Sequence, residues 1–99
     1  MISPTPAGED NCIFVGEKPF MNYVAAIIMQ FTTQEQPTVR IKARGKHISR
    51  AVDVSEVAVH DFLEGEVRIQ EIASTSNQVR NREGKQVRVS TVDITLAKQ

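Results

Sequence analysis

The chain has 99 residues, 40% of them hydrophobic and 24% charged, which suits one soluble domain with a thin core. No apolar run approaches the ~18 residues of a membrane-spanning helix, so the sequence gives no reason to expect a membrane partner. Twelve bases balance twelve acids to a formal net charge of zero, and the single cysteine, Cys12, cannot form an internal disulfide, which points to a reducing, cytoplasmic setting.

Residues 1–10 carry Pro4, Pro6, Gly8 and two acids. They lack the basic start and apolar stretch of a signal peptide and read as a short disordered arm before a single domain over 11–99. Asn11 to Gly16, with its run Cys12-Ile13-Phe14-Val15, reads as a short, fully buried strand, with Cys12 an inert thiol inside it. Pro19 fits the first position of a helix, where its missing N–H costs nothing. Phe20, Val24, Ile27, Ile28 and Phe31 then form one apolar stripe at helical spacing. The helix fades near Thr32 and Thr33, and Pro37 excludes its continuation.

Thr38 to Arg44 alternates: Val39, Ile41 and Ala43 on one face, Arg40, Lys42 and Arg44 on the other. That pattern predicts a half-buried strand with a basic outer face. Gly45 supplies a turn. A second helix runs from about His47 to Leu63, with Ile48, Ala51, Val52, Ser55, Val59 and Phe62 in its stripe and Gly65 ending it. A third strand runs from about Glu66 to Ser74 and a fourth from about Gln86 to Lys98. Both change phase, since Val67 and Ile69 oppose Ile72, while Val87 and Val89 oppose Val92, Ile94 and Leu96. A phase change means a bulge or a strand buried on different sides along its length. Ser74 to Lys85 is long for a plain connection. It reads as an extended hairpin arm that turns at Glu83-Gly84.

The neutral total conceals strong segregation. Arg40, Lys42, Arg44, Lys46 and Arg50 occupy one short segment without an acid; Arg80, Arg82, Lys85 and Arg88 occupy another beside a single acid, Glu83. Positions 53 to 71 hold Asp53, Glu56, Asp61, Glu64, Glu66 and Glu71 against Arg68 alone. Local potential is what steers a polyanion toward a surface. A solvated charged face is the competing reading of both basic segments.

Three stretches resemble one family. Val15-Gly16-Glu17-Lys18-Pro19-Phe20-Met21-Asn22-Tyr23-Val24 is similar to the first loop and helix of the Alba family of archaeal chromatin proteins. Ile41 to Asp53, written IKARGKHISRAVD, resembles that family's second strand and helix, and Gly84 to Val92, GKQVRVSTV, its hairpin and last strand. The resemblance spans roughly residues 11 to 98. It implies an α+β fold, a β-α-β-α-β-β two-layer sandwich with an extended hairpin arm, similar to the C-terminal domain of a bacterial translation initiation factor. It implies a homodimer joined through the second helix and last two strands. It further implies largely non-sequence-specific binding of double-stranded DNA, and often RNA, in the cytoplasm and on the chromosome. By position, Lys18, Asn22, Arg40, Lys42, Arg44, Lys46 and Arg50 would contact the duplex from the body. Arg80, Arg82, Lys85 and Arg88 would contact it from the arms, reaching into the minor groove. Phe62 falls where family members make dimer–dimer contacts.

One position departs from the pattern. The family loop often carries two adjacent lysines, the first an acetylation site in some members, and here the first is Glu17. Its charge opposes phosphate and implies weaker, more salt-sensitive binding; acetylation there is chemically impossible, leaving Lys18 as the lysine that could be modified. An RNA chaperone or ribonucleoprotein subunit is the first alternative, and a self-association scaffold the second. Nothing suggests an enzyme, a metal or a cofactor. His47 and His60 stand apart, no Cys-His or His-x-x-x-His spacing occurs, and Gly45 and Gly84 do not form a phosphate loop. The sheet also lacks an aromatic stacking platform, which argues against a single-strand reader of the RNA-recognition-motif type.

Overall fold

The computed structural model describes residues 11–99; the expected N-terminal arm at 1–10 lies outside the described residues. Strand β1 (Cys12–Phe14) is followed by α1 (Phe20–Thr32), β2 (Thr38–Arg44) and a single 3-10 turn (Gly45–His47). Helix α2 (Ile48–Val57) continues into a π-helical turn (Ala58–Phe62), and β3 (Val67–Arg80) and β4 (Gln86–Lys98) complete the chain. The sheet order is β1-β2-β4-β3, with β1 parallel to β2 and the other pairs antiparallel. This is the expected α+β order with a β3–β4 hairpin.

Both helices cover one face of the sheet. Val24, Ile27 and Phe31 of α1 and Ala51, Val54 and Ala58 of the α2 segment pack with Val39, Ile41, Ile94 and Leu96. Alternation therefore decides burial, and every second strand residue points to the open face. The expectation of a fully buried first strand fails for this reason. Ile13 is buried, but Phe14 is exposed and Cys12 is only partly covered. A single helical layer cannot hide both faces of an edge strand.

Pro19 is the residue just before α1, not its first residue, with an extended φ/ψ of −56° and 144°. The expected stripe holds, and Tyr23 joins it at 7% exposure. Helix α2 is where the expected stripe needs correction. The π-helical turn inserts a wider loop of chain, so Leu63 is buried at 3% while Phe62 stands 51% exposed. Gly65 follows with φ 81°, a conformation that costs glycine nothing.

Both strand phase changes have structural causes. In β3 the register against β4 slips between Ile69 and Glu71. The extra residue, Gln70, places Ile72 on the same side as Val67 and Ile69. In β4 the register is unbroken. Val92, Ile94 and Leu96 meet the helices, whereas Val87 and Val89 lie on the opposite face farther out along the arm.

The arm itself is longer in regular structure than the sequence pattern suggests. Pairing runs without interruption from Ile72–Ile94 to Arg80–Gln86, and only residues 81–85 turn. Every residue from Gln70 to Arg88 is exposed. The radius of gyration is 14.4 Å and the extents are 45 × 30 × 24 Å, against ~13 Å for a compact chain of this size. The projecting hairpin accounts for the excess.

Candidate nucleic-acid interface

The loop between β1 and α1 is short and exposed, and it is held in place by two side chains. Gly16 N–H and Lys18 N–H both donate to the Tyr23 hydroxyl, at 2.9 and 3.0 Å. Arg50 Nη2 donates to the Lys18 carbonyl at 2.8 Å. Tyr23 can do this because its ring is anchored in the core one turn into α1, with the hydroxyl emerging at the helix start. Asn22, also in that first turn, is exposed, and its N–H donates to the Pro19 carbonyl at 3.0 Å.

Lys46 and His47 come from the 3-10 turn after β2. Glu17 meets both, with Lys46 Nζ at 3.4 Å and His47 Nε2 at 4.0 Å. Glu17 and Lys46 are three-quarters exposed, so their pairing contributes at most ~1 kcal/mol. Its effect is on charge instead: it neutralises Lys46 at the surface where Lys18 is displayed. These groups border an open groove of about 640 Å³ that Arg50 and Asp53 close from α2.

The structure thus brings together Lys18, Lys46 and Arg50, but not the whole of the expected body contact. Arg40 and Lys42 point from β2 to the open face of the sheet. There Asp93 of β4 forms an ion pair with Arg40, and it lies 4.0 Å from Lys42 Nζ. Asp93 was not singled out in the sequence, where a lone acid in an alternating strand carries no signal of its partner. Its partnership follows from register alone, since Lys42 and Asp93 are direct neighbours across β2 and β4. Arg44, at the end of β2, is exposed and has no partner among the described residues.

The arm tip is built around Asn81. Its side-chain oxygen accepts the Glu83 and Lys85 N–H groups, each at 2.9 Å, and its own N–H donates to the Lys85 carbonyl at 2.8 Å. Gly84 takes φ 82°. An Asx turn of this kind is a recognisable use of Asn; the turn is expected at Glu83-Gly84, and Asn81, whose position three residues before Gly84 is the signal for it, was missed. Arg80 Nη1 donates to the Gly84 carbonyl at 2.9 Å, and Arg88 Nη1 to Ser76 Oγ at 3.2 Å. Each guanidinium keeps further N–H donors for a ligand. Arg82 and Lys85 at the tip have no side-chain partner among the described residues.

His60 Nε2 lies 2.9 Å from Glu56 Oε1, one turn away on the same helix. Among the described residues no group of three His, Cys, Asp or Glu side chains could hold a metal. No helix there is long and apolar enough to cross a membrane.

The Alba family model matches residues 11–76. A protein of Methanococcus maripaludis named DNA/RNA-binding protein Alba is 46% identical over 89 residues, covering 90% of this chain and 99% of its own length. The protein of the same name from Methanocella arvoryzae is 47% identical over 88 residues, covering 89% and 90%. Among solved structures, Alba from Thermoplasma volcanium aligns with a TM-score of 0.78 at 42% identity, over 88% of this chain and 99% of that one. ALBA1 from Trypanosoma brucei shares the fold, with a TM-score of 0.64 at 21% identity over 89% of this chain and 68% of its own.

Proposed function

This chain belongs to the Alba family, and on that premise we propose that it binds nucleic acid as a homodimer and catalyses no reaction. The observation that carries the reading is the arm. A hairpin of two long strands, exposed from Gln70 to Arg88, contributes nothing to the core, yet it ends in a hydrogen-bonded turn displaying Arg82 and Lys85. Cations on a narrow projecting ribbon suit a minor groove, which is read by shape and potential more than by base identity.

The body contact is the loop at the start of α1. Lys18, Lys46 and Arg50 face a duplex backbone, and the first N–H groups of α1 add a favourable dipole for phosphate. Asn22 and Arg44 lie at the margins of this surface. Dimerisation is supported by Ile72, which points to the helix side of the sheet but is 54% exposed because neither helix reaches it. A partner's α2 and last strands would cover it. Phe62 remains available for contact between dimers along DNA. The protein's setting is then cytoplasmic and chromosome-associated.

Relatives are named for both DNA and RNA, so an RNA-centred role is the second reading, which this chain's neutral charge fits better than it fits bulk genome packaging. Competition between duplex DNA and structured RNA across salt, for wild type and Glu17→Lys, tests the reading. Duplex binding with a log–log slope near −0.9 per phosphate contact, tightened by Glu17→Lys, is the expected result. RNA binding without duplex binding selects the RNA role, and no binding at low salt refutes both.

A further inference from the structure

Phe14 corrects the expectation that the sheet lacks an aromatic stacking platform, because its ring stands on the open face at the base of the arm. It is 62% exposed on the open face of the sheet, where Ala73 adds apolar surface beside the charges of Lys42 and Asp93. Its ring borders a concavity of about 520 Å³, together with Lys42, Arg44, Thr75, Thr91 and Asp93. That volume falls in the ~300–1,000 Å³ range of small-ligand clefts. Lys42 Nζ stands 5.8 Å from the centre of the Phe14 ring and 4.0 Å from Asp93. The Thr75 and Thr91 hydroxyls are hydrogen-bonded to each other across the β3–β4 pair.

The geometry points to a second nucleic-acid site, for an unpaired strand, in which a base stacks on Phe14 and the phosphate backbone follows the basic edge of β2. An exposed aromatic ring beside a basic strand is the arrangement that holds unstacked bases without regard to sequence, and Lys42 leaves the other ring face for the base. A paired base cannot use it, because its flat faces are occupied within the duplex. Arg40, Lys42 and Arg44 repeat at every second residue along the strand, roughly 6.8 Å apart, and form a track beside the ring. Lys42 can exchange its contact with Asp93 for a phosphate oxygen. Asp93 and the threonine hydroxyls supply acceptors and donors for base edges.

A protein partner fits this face less well. Interface cores are depleted of charged residues, and here a Lys–Asp pair lies at the centre. A stable interface covers ~800 Å² per partner, far more than a single cleft beside one ring supplies. The site also differs in its ligand from the duplex-facing loop and arms, so the two can fail separately.

The test measures fluorescence anisotropy of labelled 12-nucleotide oligouridylate, oligothymidylate and a mixed-sequence duplex against wild type, Phe14→Ala and Phe14→Trp. Phe14→Ala is expected to weaken single-strand binding roughly 5- to 150-fold, the span of one stacked base, while duplex binding changes less than about twofold. Equal losses for the RNA and DNA oligomers assign the site to the shared base stack, and a loss confined to the RNA assigns it to RNA. Phe14→Trp should retain binding. Its indole is the only one in the chain, which has no natural Trp, and its emission should be quenched when the oligomer is added. Unchanged single-strand binding in Phe14→Ala, or an unquenched indole, overturns the proposal. So does a self-association of wild type that Phe14→Ala abolishes, since that assigns the face to a second copy. A wild type that binds the single strands through Phe14 but not the duplex would refute the duplex reading and leave this site standing.

Discussion

Replacing Tyr23 by phenylalanine removes one oxygen atom and leaves the ring in its core position. Two N–H groups, those of Gly16 and Lys18, lose their acceptor together. A buried donor left unpaired costs about 1–3 kcal/mol. Gly16 is half-buried and Lys18 exposed, so water recovers part of the loss, and we expect a destabilisation of about 1–2 kcal/mol. For a domain of this size that is a fall in Tm of roughly 4–16 °C. Because the loop carries Lys18, loosening it also weakens duplex binding. Ordering a residue's backbone costs about 1–2 kcal/mol, so partial loosening of two residues should raise Kd on the order of tenfold. Urea unfolding at fixed protein concentration, with an unchanged m-value, measures the first effect. Duplex anisotropy at one salt concentration measures the second. A stability within about 0.3 kcal/mol of wild type, with unchanged duplex affinity, would refute the view that the hydroxyl holds the loop.

Other expectations follow from the same geometry. Glu17→Gln frees Lys46 from its acid and should tighten duplex binding several-fold at low salt, an advantage that disappears as salt is raised. Arg82→Ala and Lys85→Ala at the arm tip should each lower the magnitude of the log–log salt slope by about 0.9 for every phosphate the side chain had neutralised, with thermal stability unaltered. Ile27→Ala removes a fully buried side chain and should cost about 2–5 kcal/mol by chemical denaturation. Glu35 takes φ 53° just after α1, so Glu35→Gly should stabilise the fold by about 0.5–1 kcal/mol through relief of left-handed strain.

Much of the fold was legible because period and punctuation report local energetics. The stripe from Phe20 to Phe31, the alternation of β2 and the glycines at 45, 65 and 84 each reflect a cost paid within a few residues. The phase change in β3 was visible for the same reason, although only pairing with β4 decided that its cause is a bulge. The segregation of bases was likewise readable, since it needs only a count along the chain.

What tertiary structure decided is how many faces each element covers and which distant groups meet. Cys12-Ile13-Phe14-Val15 is apolar at every position, and nothing local distinguishes a strand buried on both faces from an edge strand under one helical layer. Phe14 is exposed because the helices cover only the other face of the sheet. Arg40, Lys42 and Arg44 read as one basic face with Lys46 and Arg50. The strand-to-turn transition at Gly45 instead divides them between the open sheet and the loop groove, and register places Asp93 beside the first two. Tyr23 was one more position near the apolar stripe of α1. Its task, holding the loop through a hydroxyl, depends on where the chain before the helix returns. The sequence determined the elements, because their energetics are local; packing and register decided the surfaces, because those depend on residues far apart in the chain.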